Sequence, residues 1–237
     1  SWTNTSSLPT GRSAITGFGT QTAALGAGGT PAPGVTSVVS WNGSAWSAGT
    51  SMGTARYGAL SRGTQTAGLV FGSTYANDAV TESWNGTSWS VGGSLNTTPV
   101  SGGGSAGTQT AALVFGGGGP PMLNRTESYN GTSWTTVPGT LNTSRGAHIG
   151  GAGLQTAALA FGGDTNTFTA TTSSEQFNGT AWSNINSMAT ARSRLAGNGI
   201  QTAALASGGY NNTTGVSTTE MWTGEIATAV AKTLTTS

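Results

Sequence analysis

One short pattern recurs five times along the chain and narrows its fold more than anything else in it. Gln-Thr followed by Ala, a small residue and Leu starts at Gln21, Gln65, Gln109, Gln155 and Gln201, at spacings of 44, 44, 46 and 46 residues. A second marker, an aromatic before a polar turn, keeps step with it at Trp41, Trp84, Tyr129, Phe177 and Trp222. Four of these turns read Asn-Gly (Asn42-Gly43, Asn85-Gly86, Asn130-Gly131, Asn178-Gly179), and the fifth reads Thr223-Gly224. A tryptophan stands five residues after the aromatic in the Asn-Gly copies: Trp46, Trp89, Trp134 and Trp182. A fixed period of this size means modules that bury their apolar faces against one another.

Each module reads as four short strands. Asn-Gly between aromatic-bearing runs predicts a two-residue hairpin turn with positive φ at both positions. That hairpin joins the third and fourth strands. Ala157-Ala158-Leu159-Ala160-Phe161 alternates small and large residues with the two-residue period of a second strand. A Gly-x-Gln turn precedes it, and before that runs a Gly/Ala-rich first strand such as residues 147–152. No window holds a helical period, and the 40 glycines oppose helix. Small residues suit innermost strands crowded around an axis. The expected fold is all-β: a five-bladed β-propeller with four antiparallel strands per blade, occupying residues 1–237 as one domain.

Composition removes the main competitor and several chemistries. Glycine and Ser/Thr richness suits a flexible linker, but 35% hydrophobic residues and eight tryptophans need a core to hold them. Cysteine is absent and histidine occurs once, at His148, so thiol chemistry, disulfides and cysteine-ligated metal sites are excluded. A net charge of +1 without a basic run argues against a phosphate-tracking nucleic-acid binder. No apolar stretch approaches the roughly 20 residues that span a bilayer, so no membrane insertion is expected. The chain opens on Ser1 without a charged-then-apolar leader, and is expected to be a processed product or a domain of something longer.

The repeat also carries a family resemblance. An aromatic in strand three, Trp in strand four, a Gly-Gly doublet closing strand two and a Met/Leu-x-x-x-Arg lead into strand one together resemble the kelch motif. The leads are Met52 to Arg56, Leu141 to Arg145 and Met188 to Arg192. The doublets are Gly28-Gly29, Gly116-Gly117, Gly162-Gly163 and Gly208-Gly209, with Gly72-Ser73 a departure. The resemblance implies the propeller fold; kelch-like propellers include enzymes, scaffolds and adhesins, so it implies no single activity. The Asn-Gly-Thr-rich, charge-poor style is similar to propeller repeats of phage structural proteins and environmental viral sequences.

Closing the ring requires a fourth strand for the last blade. Ser1-Trp2-Thr3 matches the fourth-strand pattern Ser88-Trp89-Ser90, and Trp2 stands 19 residues before Gln21, as Trp46 does before Gln65. Ala227 occupies the corresponding place after Trp222. The N-terminal strand is therefore expected to close the ring, removing an exposed edge. The competing account uses Ile226, Thr228 and Val230, which leaves residues 226–237 as either a C-terminal strand or a tail.

Length variation falls on one face of the ring, where the two-to-three and four-to-one connections emerge, and binding residues favour such loops. The candidate ligand-binding residues there are Tyr75, Asn77, Asp78, Met122, Asp164, Asn166, Phe168, Tyr210, Asn211 and Asn212, alongside Pro120 and Pro121. Recurrent Glu82, Glu127, Glu175 and Glu220, with Val39 in the first repeat, and recurrent Arg12, Arg56, Arg145 and Arg192, with Pro99 in the third, read as scaffold. Because the departures fall in different repeats, a strict Arg–Glu pair is not expected. The repeated Gln is expected to bond backbone, and His148 to be packed near a first strand.

These assignments leave Arg62, Arg125, Arg194, Lys232, Asp78, Asp164 and Glu225 as the remaining charges. A Ser-His-Asp site would have to use His148, and no nucleophile elbow lies near it. Paired carboxylates for glycoside hydrolysis would have to be Asp78 and Asp164. No enzyme, no cofactor and no metal are expected. The expected function is structural or recognition work in a virion or on a cell surface, where another virion protein or a host-surface glycan is the partner. The alternative is a glycan-binding lectin, since neutral sugars bind through aromatic platforms and Asn/Asp/Gly hydrogen bonds.

Overall fold

A computed structural model describes residues 4–74, 79–98, 101–119 and 121–224. It is a five-bladed β-propeller, all-β, with no helix among the described residues. Blade one holds β1 (Thr16–Gly19), β2 (Ala24–Ala27), β3 (Val38–Trp41) and β4 (Trp46–Gly49). Blade two holds β5 (Leu60–Thr64), β6 (Ala67–Phe71), β7 (Thr81–Trp84) and β8 (Trp89–Val91). Blade three holds β9 (Gly104–Gly107), β10 (Ala112–Phe115), β11 (Thr126–Tyr129) and β12 (Trp134–Val137). Blade four holds β13 (Gly150–Leu154), β14 (Ala157–Phe161), β15 (Ser174–Phe177) and β16 (Trp182–Ile185). Blade five shows β17 (Ala196–Ile200), β18 (Ala203–Ser207) and β19 (Thr219–Thr223). Each blade is an antiparallel meander in chain order from the inner strand outward. Trp2 and residues 226–230, the two candidates for the closing strand, lie outside the described residues.

The third-to-fourth strand hairpin differs from the sequence expectation in an instructive way. Trp41 pairs with Trp46 across the ladder, and Phe177 with Trp182, so the loop between them has four residues instead of two. Only its glycine has positive φ, 96° at Gly179. The asparagine keeps an ordinary backbone because its side chain does the turning. Asn178 Oδ1 accepts the backbone N–H of Thr180 at 3.0 Å and of Ala181 at 2.9 Å. This is an Asx turn, which needs one left-handed residue where a two-residue hairpin needs two. The pairing also brings the two rings of a blade together across the strands, tilted by 36° with centroids 5.1 Å apart for Phe177 and Trp182.

Inner strands are poor in side chains because there is no room for them. A Cβ on Gly151 would stand 2.2 Å from the Ser105 carbonyl oxygen, and one on Gly197 2.6 Å from the Gly151 nitrogen. These positions press against the inner strand of the adjacent blade, so the sequence's run of small residues is a packing requirement.

Between blades the alternation of the second strand becomes the core. Leu113 and Phe115 leave one face of blade three and pack on Ala158, Ala160, Phe177 and Trp182 of blade four. Phe115 meets Trp182 edge-on at 4.8 Å, and Phe71 meets Trp134 at 4.9 Å one interface earlier. The indole N–H of Trp182 donates to Thr126 Oγ1 of the preceding blade at 2.9 Å, so its polar edge is satisfied as well. Each such large side chain buried contributes about 1.5–3 kcal/mol. On the opposite rim the repeated glutamine ties neighbours together through backbone. Gln155 Nε2 donates to the carbonyls of Ala112 and Tyr129 in the blade before it, and Gln65, Gln109 and Gln201 do the same in theirs.

Candidate functional site: the loop face and the axial cavity

The lead arginines brace the loop face from inside. Arg145 Nη1 donates to the carbonyls of Gly162 at 3.1 Å and Ser173 at 2.5 Å, the two ends of its own blade's two-to-three loop. Arg56 spans Gly72 and Val80 in the same way, and Arg192 spans Gly208 and Thr218. All three guanidiniums are fully buried. The scaffold glutamates stand beside them: Arg145–Glu175 at 2.9 Å, Arg192–Glu220 at 2.5 Å and Arg56–Glu82 at 4.0 Å. Burial pulls the Arg56 and Arg145 pKa values down, and the neighbouring carboxylates oppose it. At Glu220 burial pushes upward, but the N–H groups of Ala189 and Thr190 and the Arg192 charge outweigh it and hold its pKa low.

An Arg–Glu pair thus forms within each blade that has both residues, which the mismatch of the two departures had concealed. Blade three solves its missing arginine from another place in the chain. Pro99 occupies the lead position, and Arg125, immediately before β11, pairs with Glu127 at 2.7 Å. Blade one has Val39 instead of the acid, and Arg12 there braces Gly28 and Ser37 carbonyls while only partly buried.

Of the candidate binding residues, Tyr75, Asn77 and Asp78, with Pro120 beside Met122, lie outside the described residues. Met122 is buried between blades three and four, with its sulfur against Gly146. Its N–H donates to Asn166 Oδ1 at 2.5 Å. Asp164 is buried too; its backbone exchanges two 3.0 Å hydrogen bonds with Gly146, and its Oδ1 has no hydrogen-bond partner among the described residues. Asn212 Oδ1 accepts the N–H of Ala170 at 2.9 Å, and Asn211 caps its own turn through Thr213 and Thr214. Asn166 and Asn212 therefore stitch successive loops together. Phe168 stands out from them, 59% exposed and left-handed at φ 54°. Tyr210 pairs through its backbone with Ser193 and lies under the Arg194 guanidinium, 5.5 Å from the ring centroid. The described candidates form a rim around the face, not one pocket.

At the centre of that face lies a cavity of about 180 Å³ to which every blade contributes an inner-strand residue or its lead. Thr16, Ser61 and Ser105 supply hydroxyls, Arg62 a guanidinium and His148 an imidazole. Arg62 also lines a wider cleft of about 540 Å³ that runs along blade one past Leu8, Ile15 and Trp46 and reaches Asn198 of blade five. It occupies the inner-strand position held by Phe18, Ala106, Ala152 and Asn198 in the other blades, which the repeat register alone identifies. Arg62 Nη2 donates to the carbonyls of Ser105 and Gly151, Nε has no hydrogen-bond partner among the described residues, and burial lowers its pKa to about 10, still a cation at neutral pH.

The sequence suggests a packed His148, and the structure corrects this. It is exposed at the mouth of this cavity, two residues before β13, and left-handed at φ 59°. Ala147 and Arg194 share that conformation at 52° and 55°, as does Ala14 at 53°, while the matching turns of blades two and three use Gly58 and Gly102. A non-glycine residue there costs about 1–2 kcal/mol, and the strained turn aims His148 at the axis. Partial desolvation of its ring, with the Arg194 charge nearby, lowers its pKa.

Comparison with known protein families finds no family model that matches the chain, and comparison with curated proteins finds no match either.

Proposed function

We propose that this chain is a non-catalytic recognition module, a rigid kelch-like ring that displays its loop face for binding as part of a virion or a cell surface. The observation that carries this reading is the complete burial of Arg56, Arg145 and Arg192, each holding both ends of a loop. The scaffold spends its charges on fixing loop geometry, and the asparagines of the rim stitch one loop to the next. A preformed surface of this kind loses little entropy on binding. Glu127, Glu175 and Glu220 are engaged in ion pairs, which supports display over acid–base catalysis.

The partner of such a face is another virion protein or a host-surface glycan. Phe168 favours the glycan, because an exposed ring flanked by Thr165, Thr167 and Thr169 offers the apolar platform and hydroxyls that sugars use. A glycan array probed with the whole chain tests this: hits lost in Phe168→Ala support the lectin reading, and an empty array removes it. Recovery of the protein among purified virion components supports the structural reading. A stable cytosolic partner would contradict both.

A further inference from the structure

The basic residues of the chain divide into two sets. Arg12, Arg56, Arg145 and Arg192 brace loops, and Arg125 pairs with Glu127. Lys232 lies outside the described residues. Two remain, Arg62 and Arg194. Arg62 and His148 line the same cavity, and Arg194 stands close beside His148. No carboxylate is among the residues lining this cavity or the adjoining cleft. Every other described arginine except Arg12 has a glutamate or an aromatic ring as partner.

We propose that the mouth of the axial cavity binds an oxyanion, the carboxylate or the tetrahedral phosphate or sulfate group of a ligand. Arg62 forms the floor and brings a guanidinium charge that no carboxylate lining the cavity or the adjoining cleft balances; its Nε, like those of the loop-bracing Arg56 and Arg145, is buried without a hydrogen-bond partner among the described residues. A largely desolvated guanidinium without a counter-charge is unfavourable, and an oxyanion in the cavity supplies the missing negative charge. The hydroxyls of Ser61, Ser105 and Thr16 line the wall. His148 and Arg194 sit at the rim, in the turns where blades one, four and five hold left-handed backbone without the glycine used in blades two and three. About 180 Å³ is less than a whole drug-sized ligand fills, so the site takes one group of a larger molecule or a small ion. This inference does not rest on what the loops bind.

A purely structural role for Arg62, bolting β9 to β13 through the Ser105 and Gly151 carbonyls, makes a different prediction. Isothermal titration of the whole chain with sodium glucuronate and, separately, with sodium phosphate, each against sodium chloride at matched ionic strength, distinguishes them. The expected result is saturable one-site binding of at least one of the two. Affinity should fall about tenfold or more in Arg62→Met, the loss of a charge-assisted contact. It should fall about threefold in Arg194→Gln, a residue at the rim, and be retained in part by Arg62→Lys. Glucuronate alone would assign a carboxylate site, and phosphate alone a tetrahedral one. If Arg62→Met fails to fold, Arg62→Lys and the exposed Arg194→Gln carry the comparison. Binding of neither anion, or binding that these variants leave unchanged, overturns the proposal.

Discussion

The interface between blades three and four and the outward flank of blade five are built from the same repeat and end in opposite states. Leu113 and Phe115 are fully buried at the first. On the second, Leu205 is 44% exposed, Met221 is 72% exposed, and Ser207 stands where Phe115 does in its own repeat. The strands pair equally well in both. A blade therefore owes its ladder to itself and its core to its neighbour, the nearest-neighbour logic of repeat architectures. The local pattern of a repeat says what it needs, not whether it receives it.

Breaking the buried interface should have the largest effect. Phe115→Ala removes the ring against Trp182 and should destabilise the protein by about 3–5 kcal/mol, read as a large drop in melting temperature. Leu205→Ala should change stability by roughly 0.5 kcal/mol or less, as at exposed sites. Equal effects would mean that the flank is covered in solution, and the comparison would fail.

The loop braces sharpen the contrast between a repeat with its full set and one without. Arg145→Met strands the buried Glu175 carboxylate and should cost about 3–5 kcal/mol. Arg12→Met, in the blade where Val39 replaces the acid, strands no charge and should cost about 1.5–3 kcal/mol, the worth of hydrogen bonds from a charged donor. Denaturant unfolding of the two variants checks the order. A smaller loss in Arg145→Met than in Arg12→Met would show that the pair does not hold the loop.

Turn chemistry is shared by all the Asn-Gly repeats and should matter less. Asn178→Ala removes the acceptor of two backbone N–H groups and should cost about 1 kcal/mol, whichever blade is chosen. The effect of His148 should be smaller and visible only with pH. Its folded pKa is lowered, so the unfolded chain takes up the proton first as pH falls below about 6.5. Stability should decline from there until the folded pKa is passed, below which this contribution is constant. His148→Gln should flatten that decline in a series of melts, and an unchanged slope would place its origin elsewhere. The carboxylate of Glu220, whose folded pKa is also low, contributes stability above the unfolded carboxylate range that is lost as pH falls through its folded value.

Much of the architecture was legible because repetition turns weak local signals into strong ones. Gln65, Gln109, Gln155 and Gln201 marked the same backbone contact each time, and Leu113, Leu159 and Phe161 announced a buried face by alternation. What stayed hidden involved exchange between places that are distant in sequence. Arg125 replaces the lead arginine of blade three from the far end of the loop that such an arginine spans, so no spacing rule could connect it with Pro99. The Asx turn escaped because Asn-Gly suits two loop lengths, and the side-chain acceptor decides between them.

For the candidate site the division is similar. The rim residues were legible as loop residues, but only the fold shows that Met122 and Asp164 turn inward and that Phe168 turns outward. By itself, the sequence determined the number of blades, the strands within each and the shortage of free charge, because period, alternation and composition are properties of the chain alone. The tertiary structure decided that Arg62 and the single histidine would share the axial cavity, with Arg194 beside that histidine. That follows from wrapping five inner strands around one line, which brings Arg62, His148 and Arg194 together from three different repeats.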